Sequence, residues 1–388
     1  MDPRITFTRS TTATFTGSNG LLQTAAINAP RFDYDPVTLA PLGLLIEEQR
    51  TNLLTYSEQF DNAAWVKNAS AVTVNAVVSP NGTQNADILI ADATTAEHVL
   101  DQSFTVTAGT TYTFSAHVKA NGLTDVGLRF TVASLWAGGT SPQVRFDLTN
   151  GTASVVTGTP SSSIQSLGNG WYRVSMSVAC TTSGTSGARL QLMSGLNNVF
   201  AGNGYSGINT WGAQLEAGAF PTSYIPTVAS QVTRAADVAV MTGTNFSSWY
   251  NQAEGTLYAE GDAGGGTLPC FASIDDGTTG NRIQLRRSVN DTQTGFRMVS
   301  PGGSIDVTLI SGTATSVNKQ AASFSAGDQN AAANGALFTG ITSIPTMPTV
   351  TRMDIGTGVG STTLNGHIRK IAYYPRRLSN AALQGITS

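Results

Sequence analysis

The chain has 388 residues, of which 12% are charged and 40% are hydrophobic, and its formal net charge is −3. Low net charge combined with this hydrophobic content excludes a disordered chain, and the absence of a basic excess argues against nucleic-acid binding. The 41 glycines, together with many Thr, Ser, Ala and Asn residues, favour short strands joined by tight turns over helical bundles.

Residues 1–50 differ from the rest of the chain, because three prolines (Pro30, Pro36 and Pro41) forbid a helix and weaken any central strand. We predict an extended arm here that lies against the protein's own domains or against a partner subunit. The first residues lack the apolar core of a signal peptide, and no apolar run approaches the roughly 18 residues of a membrane span. We therefore expect synthesis in the cytosol and no membrane insertion.

Residues 51–228 alternate between apolar and polar side chains, a period typical of half-buried strands. Phe104 and Val106 begin this pattern, and Asn150-Gly151 marks a hairpin turn between two such runs. Eight to ten strands with hairpin-length connections predict a jelly roll or a similar sandwich.

Residues 229–388 repeat the pattern with a different sequence, and a short helix follows Ser379, which is a plausible N-cap. The predicted fold class is therefore all-β. An N-terminal extended arm (1–50) is followed by two β-sandwich, lectin-like domains, a jelly roll over 51–228 and a second sandwich over 229–388.

Several blocks of the sequence resemble virion proteins of tailed bacteriophages, the tail-fibre, minor-tail and head-spike components. The blocks are RITFTRSTTATFTGSNGL, PRFDYDPVT, GLLIEEQRTNLL, WGAQLEAGAFPTSYIPT and TRAADVAVMTGTNFSSWYNQAEGTLYAE, in that order. The resemblance implies a virion surface protein that carries lectin-like modules. It also implies docking to other virion proteins through residues 1–50 and a homo-oligomer, most plausibly a trimer.

The middle domain is similar to jelly-roll carbohydrate-binding modules for xylans and glucans, on the residues Asn52-Leu53, Phe60-Asp61 and Trp65. In those modules the acidic residue after Phe often holds a structural Ca²⁺, which makes Asp61 a candidate ligand. The last strand, TWGAQLE, lacks the matching Asp. The ending of the third domain resembles concanavalin-A-like and laminin-G-like sandwiches.

Sugar binding requires aromatic rings and short polar side chains at accessible positions. Trp136, which precedes the loop AGGTSP, and Tyr205, within NGYSGI, are candidate glycan contacts, as are Trp249 and Tyr250 after the second domain boundary. Trp171 and Trp211 lie in alternating strands and are expected in the core.

Asp275-Asp276 reads most simply as a hairpin turn, although clustered oxygens there could also hold Ca²⁺. The sequence requires no cofactor, and a structural Ca²⁺ is the one candidate.

The sequence contains no recognisable catalytic motif, neither HExxH nor G-x-S-x-G. His98, His117 and His367 are isolated and are expected to occupy ordinary positions in the fold. The leading hypothesis is a non-enzymatic adhesion protein on the virion surface that binds host surface polysaccharide. A purely structural virion component and a polysaccharide depolymerase are the alternatives, and the last requires two carboxylates that face one cleft.

Overall fold

A computed structural model describes residues 1–264, 268–287, 293–310, 318–360 and 363–388. Within those ranges the chain consists of β-strands with two short α-helices and one 3₁₀ turn, which confirms the predicted all-β class. No helix in those ranges is long and apolar enough to cross a membrane.

The N-terminal segment contributes six short strands. They are β1 (Thr6–Thr8), β2 (Ala13–Thr16), β3 (Leu22–Ala25), β4 (Phe32–Tyr34), β5 (Pro41–Ile46) and β6 (Arg50–Asn52).

The middle domain contains the next fourteen strands and the 3₁₀ turn at Ala133–Leu135. The strands are β7 (Val66–Asn68), β8 (Ser70–Val78), β9 (Gln84–Ala91), β10 (Thr95–Glu97), β11 (Val99–Val106), β12 (Thr111–Asn121), β13 (Asp125–Phe130), β14 (Gln143–Asp147), β15 (Thr152–Thr157), β16 (Ser161–Gly168), β17 (Trp171–Ala179), β18 (Gly184–Met193), β19 (Val199–Ala201) and β20 (Gly207–Ala217).

Two six-stranded antiparallel sheets form the middle sandwich, in the orders β15-β14-β13-β18-β11-β7 and β16-β17-β12-β20-β9-β8. Side chains of both inner faces meet in one apolar core, in which Phe104, Phe114 and Phe130 are in contact. The Asn150-Gly151 turn joins β14 to β15 as predicted. β12 is buried on both faces, because other parts of the chain cover its outer face as well.

The C-terminal domain contains the remaining strands and both α-helices. They are β21 (Val232–Arg234), β22 (Val238–Thr242), α1 (Thr244–Ser247), β23 (Glu254–Gly261), β24 (Cys270–Asp275), β25 (Arg282–Arg287), β26 (Gln293–Ser300), β27 (Gly303–Ile310), β28 (Asn318–Ser325), β29 (Asp328–Ala333), β30 (Ala336–Leu337), β31 (Arg352–Ile355), β32 (Gly366–Tyr374) and α2 (Asn380–Thr387).

Two seven-stranded sheets form this second sandwich, in the orders β1-β22-β31-β24-β25-β26-β27 and β30-β29-β28-β23-β32-β5-β4. The predicted cap of α2 is confirmed, since the Ser379 hydroxyl accepts a hydrogen bond from the backbone N–H of Ala382 at 3.2 Å. The predicted hairpin between β24 and β25 is also present.

The N-terminal segment differs from the predicted arm, because it completes the C-terminal sandwich. β1 lies at the edge of one sheet, and β4 and β5 lie at the edge of the other. Phe7, Leu44 and Ile46 are buried in the core of that domain. The prolines permit this arrangement, because Pro41 occupies the first position of β5 and the strands lie at a sheet edge.

The segment also contacts the middle domain. β2 and β3 form a hairpin, whose Thr14 hydroxyl donates a hydrogen bond to the backbone carbonyl of Tyr224 at 2.6 Å. Leu22 packs against a small apolar cluster of Trp171, Trp211 and Tyr224 on the outer face of the middle sandwich. Residues 1–50 therefore bridge both sandwiches, and β6 pairs with β21 at the same junction.

Candidate functional site

A cleft of about 410 Å³ lies where the two sandwiches and the N-terminal segment meet. We call it the junction cleft. Its lining includes Phe15, Asp33, Tyr34, Glu47, His117, Gln165, Arg173, Ser223, Asp262, Asn365 and His367.

One wall of the junction cleft is a row of side chains across the outer face of the middle sandwich. Gln165, Arg173 and His117 are register neighbours on β16, β17 and β12. Gln165 is exposed and Arg173 is half-buried, whereas His117 is buried. Burial lowers the pKa of His117 to about 3, and Arg173 acts in the same direction, so this imidazole is neutral at physiological pH.

The opposite wall contains a histidine held between two carboxylates. His367 on β32 contacts Asp33 through Nε2 at 2.9 Å and Asp262 through Nδ1 at 3.0 Å. Burial alone would lower the pKa of His367, but the hydrogen bonds with Asp262 and Asp33 raise it to about 9. The imidazole is therefore cationic at neutral pH and donates to both carboxylates. Asp33 belongs to β4, so this contact also fastens the N-terminal segment to the C-terminal sandwich.

Behind the cleft lies a buried network of three arginines and two acids. Arg9 donates to Asp237 at 3.0 Å, and Arg31 contacts Asp237 and also Glu47, the latter at 2.8 Å. Arg234 lies 3.5 Å from Glu47. Because the network spans residues 9 to 237, it fixes how the N-terminal segment meets the second domain boundary.

Glu47 belongs both to this network and to the lining of the cleft. Its carboxylate accepts hydrogen bonds from the backbone N–H and the hydroxyl of Ser223 at 2.7 and 2.6 Å. Burial alone would raise the pKa of Glu47, but Arg234 and Arg31 hold it well below its usual range. The blocks FTRS, PRFDY, LLIEEQ and TRAAD, which carry the resemblance described above, supply the five network residues.

The structure corrects the prediction for Trp136, which is only 1% exposed. Its ring stacks on Phe130 with centroids 4.4 Å apart, and its indole N–H donates to the carbonyl of Thr131 at 3.0 Å. The 3₁₀ turn that precedes Trp136 directs the ring into the middle core, so this tryptophan is unavailable to a glycan. Trp171 and Trp211 are buried, as predicted, in the smaller cluster beside Tyr224.

Tyr205 is 73% exposed and lies on the loop before β20, away from the junction cleft. The predicted contact of Tyr205 with a glycan is therefore an alternative site, separate from the cleft. Trp249 and Tyr250 are half-buried and pack with Phe246 and Tyr373 at one side of the C-terminal sandwich. Trp249 also lines a second, mainly apolar groove of about 660 Å³.

The three candidate calcium ligands lie in separate surroundings. Asp61 is exposed, whereas Asp275 is buried and paired with Arg352 at 3.0 Å. Asp276 accepts hydrogen bonds from Thr278 within its own turn. The described residues contain no group of three or more His, Cys, Asp or Glu side chains that could hold a metal ion. Asp276 thus has its partner within the hairpin, whereas Asp275 has one on the neighbouring strand β31.

Sequence reasoning missed the residues that line the junction cleft. Asp33 and His367 are 334 positions apart, so no local pattern connects them. The sequence predicts an ordinary strand position for His367, whereas the structure places it between two carboxylates.

No family model matches the chain, and no curated protein matches its sequence. Among solved structures, the chain is similar to the carbohydrate-binding module CBM40 of Ruminococcus gnavus IT-sialidase, with 17% identity, coverage of 36% of this chain and 84% of that one, and a TM-score of 0.28. Domains LG4-5 of the mouse laminin α1 chain match at 12% identity, with 74% and 89% coverage and a TM-score of 0.26. Trypanosoma rangeli sialidase matches at 11% identity, with 78% and 60% coverage and a TM-score of 0.31.

Proposed function

We propose that this chain is a non-catalytic glycan-binding protein on the surface of a tailed-phage or phage-like particle, and that it binds sugar in the junction cleft. The observation that carries the proposal is the composition of that cleft, where aromatic and apolar side chains lie beside polar side chains that are exposed (Gln165) or partly exposed (Asp33, Asp262 and Arg173). Its volume of about 410 Å³ falls within the range of roughly 300–1,000 Å³ found for small-molecule sites.

The residues of the cleft match the two requirements of sugar recognition. Phe15 and Tyr34 provide ring surface for the apolar C–H faces of a pyranose, and both are partly exposed. Gln165 and the two carboxylates, Asp33 and Asp262, can bond hydroxyl groups, because their acceptor atoms have more than one lone pair. The β-sheets on either side hold these groups, so the site needs little ordering when it binds.

Attachment to a particle is supported by the resemblance of the N-terminal blocks to virion proteins. Although residues 1–50 pack on both sandwiches, the segment keeps apolar side chains in solvent. Ile27, Phe32, Val37 and Leu39 are each more than 40% exposed. We propose that these side chains contact other virion proteins, and that a homo-oligomer, most plausibly a trimer, combines several weak sites into firm adhesion to host polysaccharide.

The test is binding of the purified oligomer to an array of bacterial surface glycans, repeated with two tyrosine variants. Tyr34→Ala removes a ring from the junction cleft, whereas Tyr205→Ala removes one from the distant loop. We expect Tyr34→Ala to weaken binding about tenfold or more and Tyr205→Ala to leave it unchanged. Loss of binding in Tyr205→Ala alone would place the sugar elsewhere. Absence of binding to any host glycan would favour the purely structural role.

Polysaccharide hydrolysis is the second candidate, because Asp33 and Asp262 line the same cleft. Both carboxylates, however, accept hydrogen bonds from one imidazolium, which keeps them ionised. Ionised carboxylates suit the binding of sugar hydroxyls better than the proton donation that a glycosidase requires. Incubation of the protein with the bound polysaccharide distinguishes the two functions. Hydrolysis would be established if the wild type released reducing ends and Asp262→Asn did not. We expect no release of reducing ends by either protein.

A further inference from the structure

We propose that the junction cleft selects acidic sugars, with the guanidinium of Arg173 binding the carboxylate of the sugar residue. This inference rests on the proposed glycan binding and adds the class of ligand. Arg173 lines the cleft without an ion pair among the described residues, whereas the three arginines of the network behind it are all paired.

The hydrogen bonds of Arg173 leave most of its donors free. Nη2 donates to the Ser115 hydroxyl at 3.2 Å, and Nε is buried without a hydrogen-bond partner among the described residues. A guanidinium carries five N–H donors in a planar fork, which matches the two oxygens of a carboxylate. Arg173 is partly exposed and lines the cleft, so its remaining donors can reach a carboxylate that enters there.

The nearest carboxylates of the protein are already engaged. Glu47 is bonded by Arg31 and by Ser223, and Glu216 accepts from the backbone N–H of Thr222 at 3.0 Å and from its hydroxyl. Both acids lie close enough to attract Arg173 electrostatically, but neither forms an ion pair with it. Arg173 therefore remains available to an anion that enters the cleft.

The charges behind the cleft nearly cancel, so Arg173 itself supplies the attraction for an anion. The network contains three guanidiniums and two carboxylates, and the buried carboxylate of Glu216 offsets the remaining positive charge. His117, the register neighbour of Arg173, is neutral and does not compete for the same anion. The sandwich cores on both sides keep the local dielectric low, which strengthens the attraction.

The opposite wall fixes the orientation of the sugar. Asp33, His367 and Asp262 together carry a net negative charge, because one imidazolium lies between two carboxylates. Oδ1 of Asp262 takes both hydrogen bonds from His367, and Oδ2 accepts none from a described residue. That oxygen can accept a sugar hydroxyl and would repel a second carboxylate. A sugar with an acid group at one side and hydroxyls at the other fits both walls.

The experiment compares acidic glycans with their carboxyl-reduced forms, using the full chain. Oligogalacturonate and sialyllactose are printed beside their reduced counterparts, and binding curves are recorded for the wild type, R173Q, R173K and R369Q. Arg369 is exposed, lines the second groove and has no ion pair among the described residues, so R369Q is the matched control.

We expect the wild type to bind an acidic glycan at least about tenfold more tightly than its reduced form. R173Q should erase that preference, R173K should keep part of it, and R369Q should keep all of it. Equal binding of acidic and reduced forms by the wild type overturns the inference, as does an unchanged preference in a folded R173Q. If R173Q does not fold, the wild-type comparison decides. Binding of neutral glycans alone refutes acid selection but leaves the proposed function standing, whereas binding of no glycan at all refutes both.

Discussion

Replacement of Asp237 by asparagine should strongly destabilise the junction between the two sandwiches. The Asp237 side chain is fully buried and accepts from Arg9 at 3.0 Å, from Arg31 and from the backbone N–H of Glu47 at 2.9 Å. The asparagine would leave two buried guanidiniums facing a neutral amide, whose NH₂ group could point toward one of them. Removal of one partner from a buried ion pair costs about 3–5 kcal/mol.

Urea unfolding monitored by tryptophan fluorescence measures this loss of unfolding free energy. Asp328→Asn provides the matched control. Asp328 pairs with Arg377 at 2.8 Å, but its side chain is 60% exposed, so its loss should cost less than about 1 kcal/mol. Hydrogen exchange should also rise in β1, β4 and β5 of the Asp237 variant, because Arg9 and Arg31 help to hold the N-terminal segment. Equal stability of the two variants would refute the view that the network fastens the junction.

Two further predictions concern other parts of the fold. The pKa of His367 rises from an unfolded value near 6.5 to about 9. Its contribution to the stability of the fold is therefore fully present below pH 6.5 and is lost as the pH rises to 9. Thermal melts of the wild type should show this loss of stability, and His367→Gln should be less stable than the wild type at pH 6 but lose less stability between pH 6.5 and 9. Trp136→Ala should cost about 3–5 kcal/mol in urea unfolding, as expected for a large side chain removed from a core, whereas Tyr205→Ala should stay within about 0.5 kcal/mol of the wild type. A flat pH profile for the wild type, or equal effects of the two aromatic variants, would contradict these assignments.

The exposure of single aromatic side chains could not be predicted from the local sequence. Trp136 precedes a glycine-rich loop, and such a position suggests a ring in solvent, yet the 3₁₀ turn before it directs the ring into the core. Tyr205 lies in a similar glycine-containing loop and is exposed. The difference depends on which sheet lies beneath each loop, and that is a property of the packed sandwich.

The strands of the N-terminal segment also could not be predicted from their local sequence. The segment's prolines correctly excluded a helix, but Phe7, Leu44 and Ile46 lie in strands of three and six residues, which are too short to indicate that they complete a distant sheet. An edge strand of three to six residues gains its stability from its neighbours, so its own sequence carries little signal. The same reasoning explains why Arg9, Arg31 and Glu47 could not be assigned to one ionic network before their partners near residue 237 were placed.

Alternating side chains and turn residues determined the all-β class, the hairpin at Asn150-Gly151 and the capped final helix, because these features depend on neighbours within a few positions. Tertiary structure alone decided the junction cleft, where Arg173 of one domain lines the same cavity as Asp33, His367 and Asp262. Contacts between residues hundreds of positions apart depend on how whole sheets pack, and the burial and charge that give those side chains their chemistry arise only once the sheets are packed.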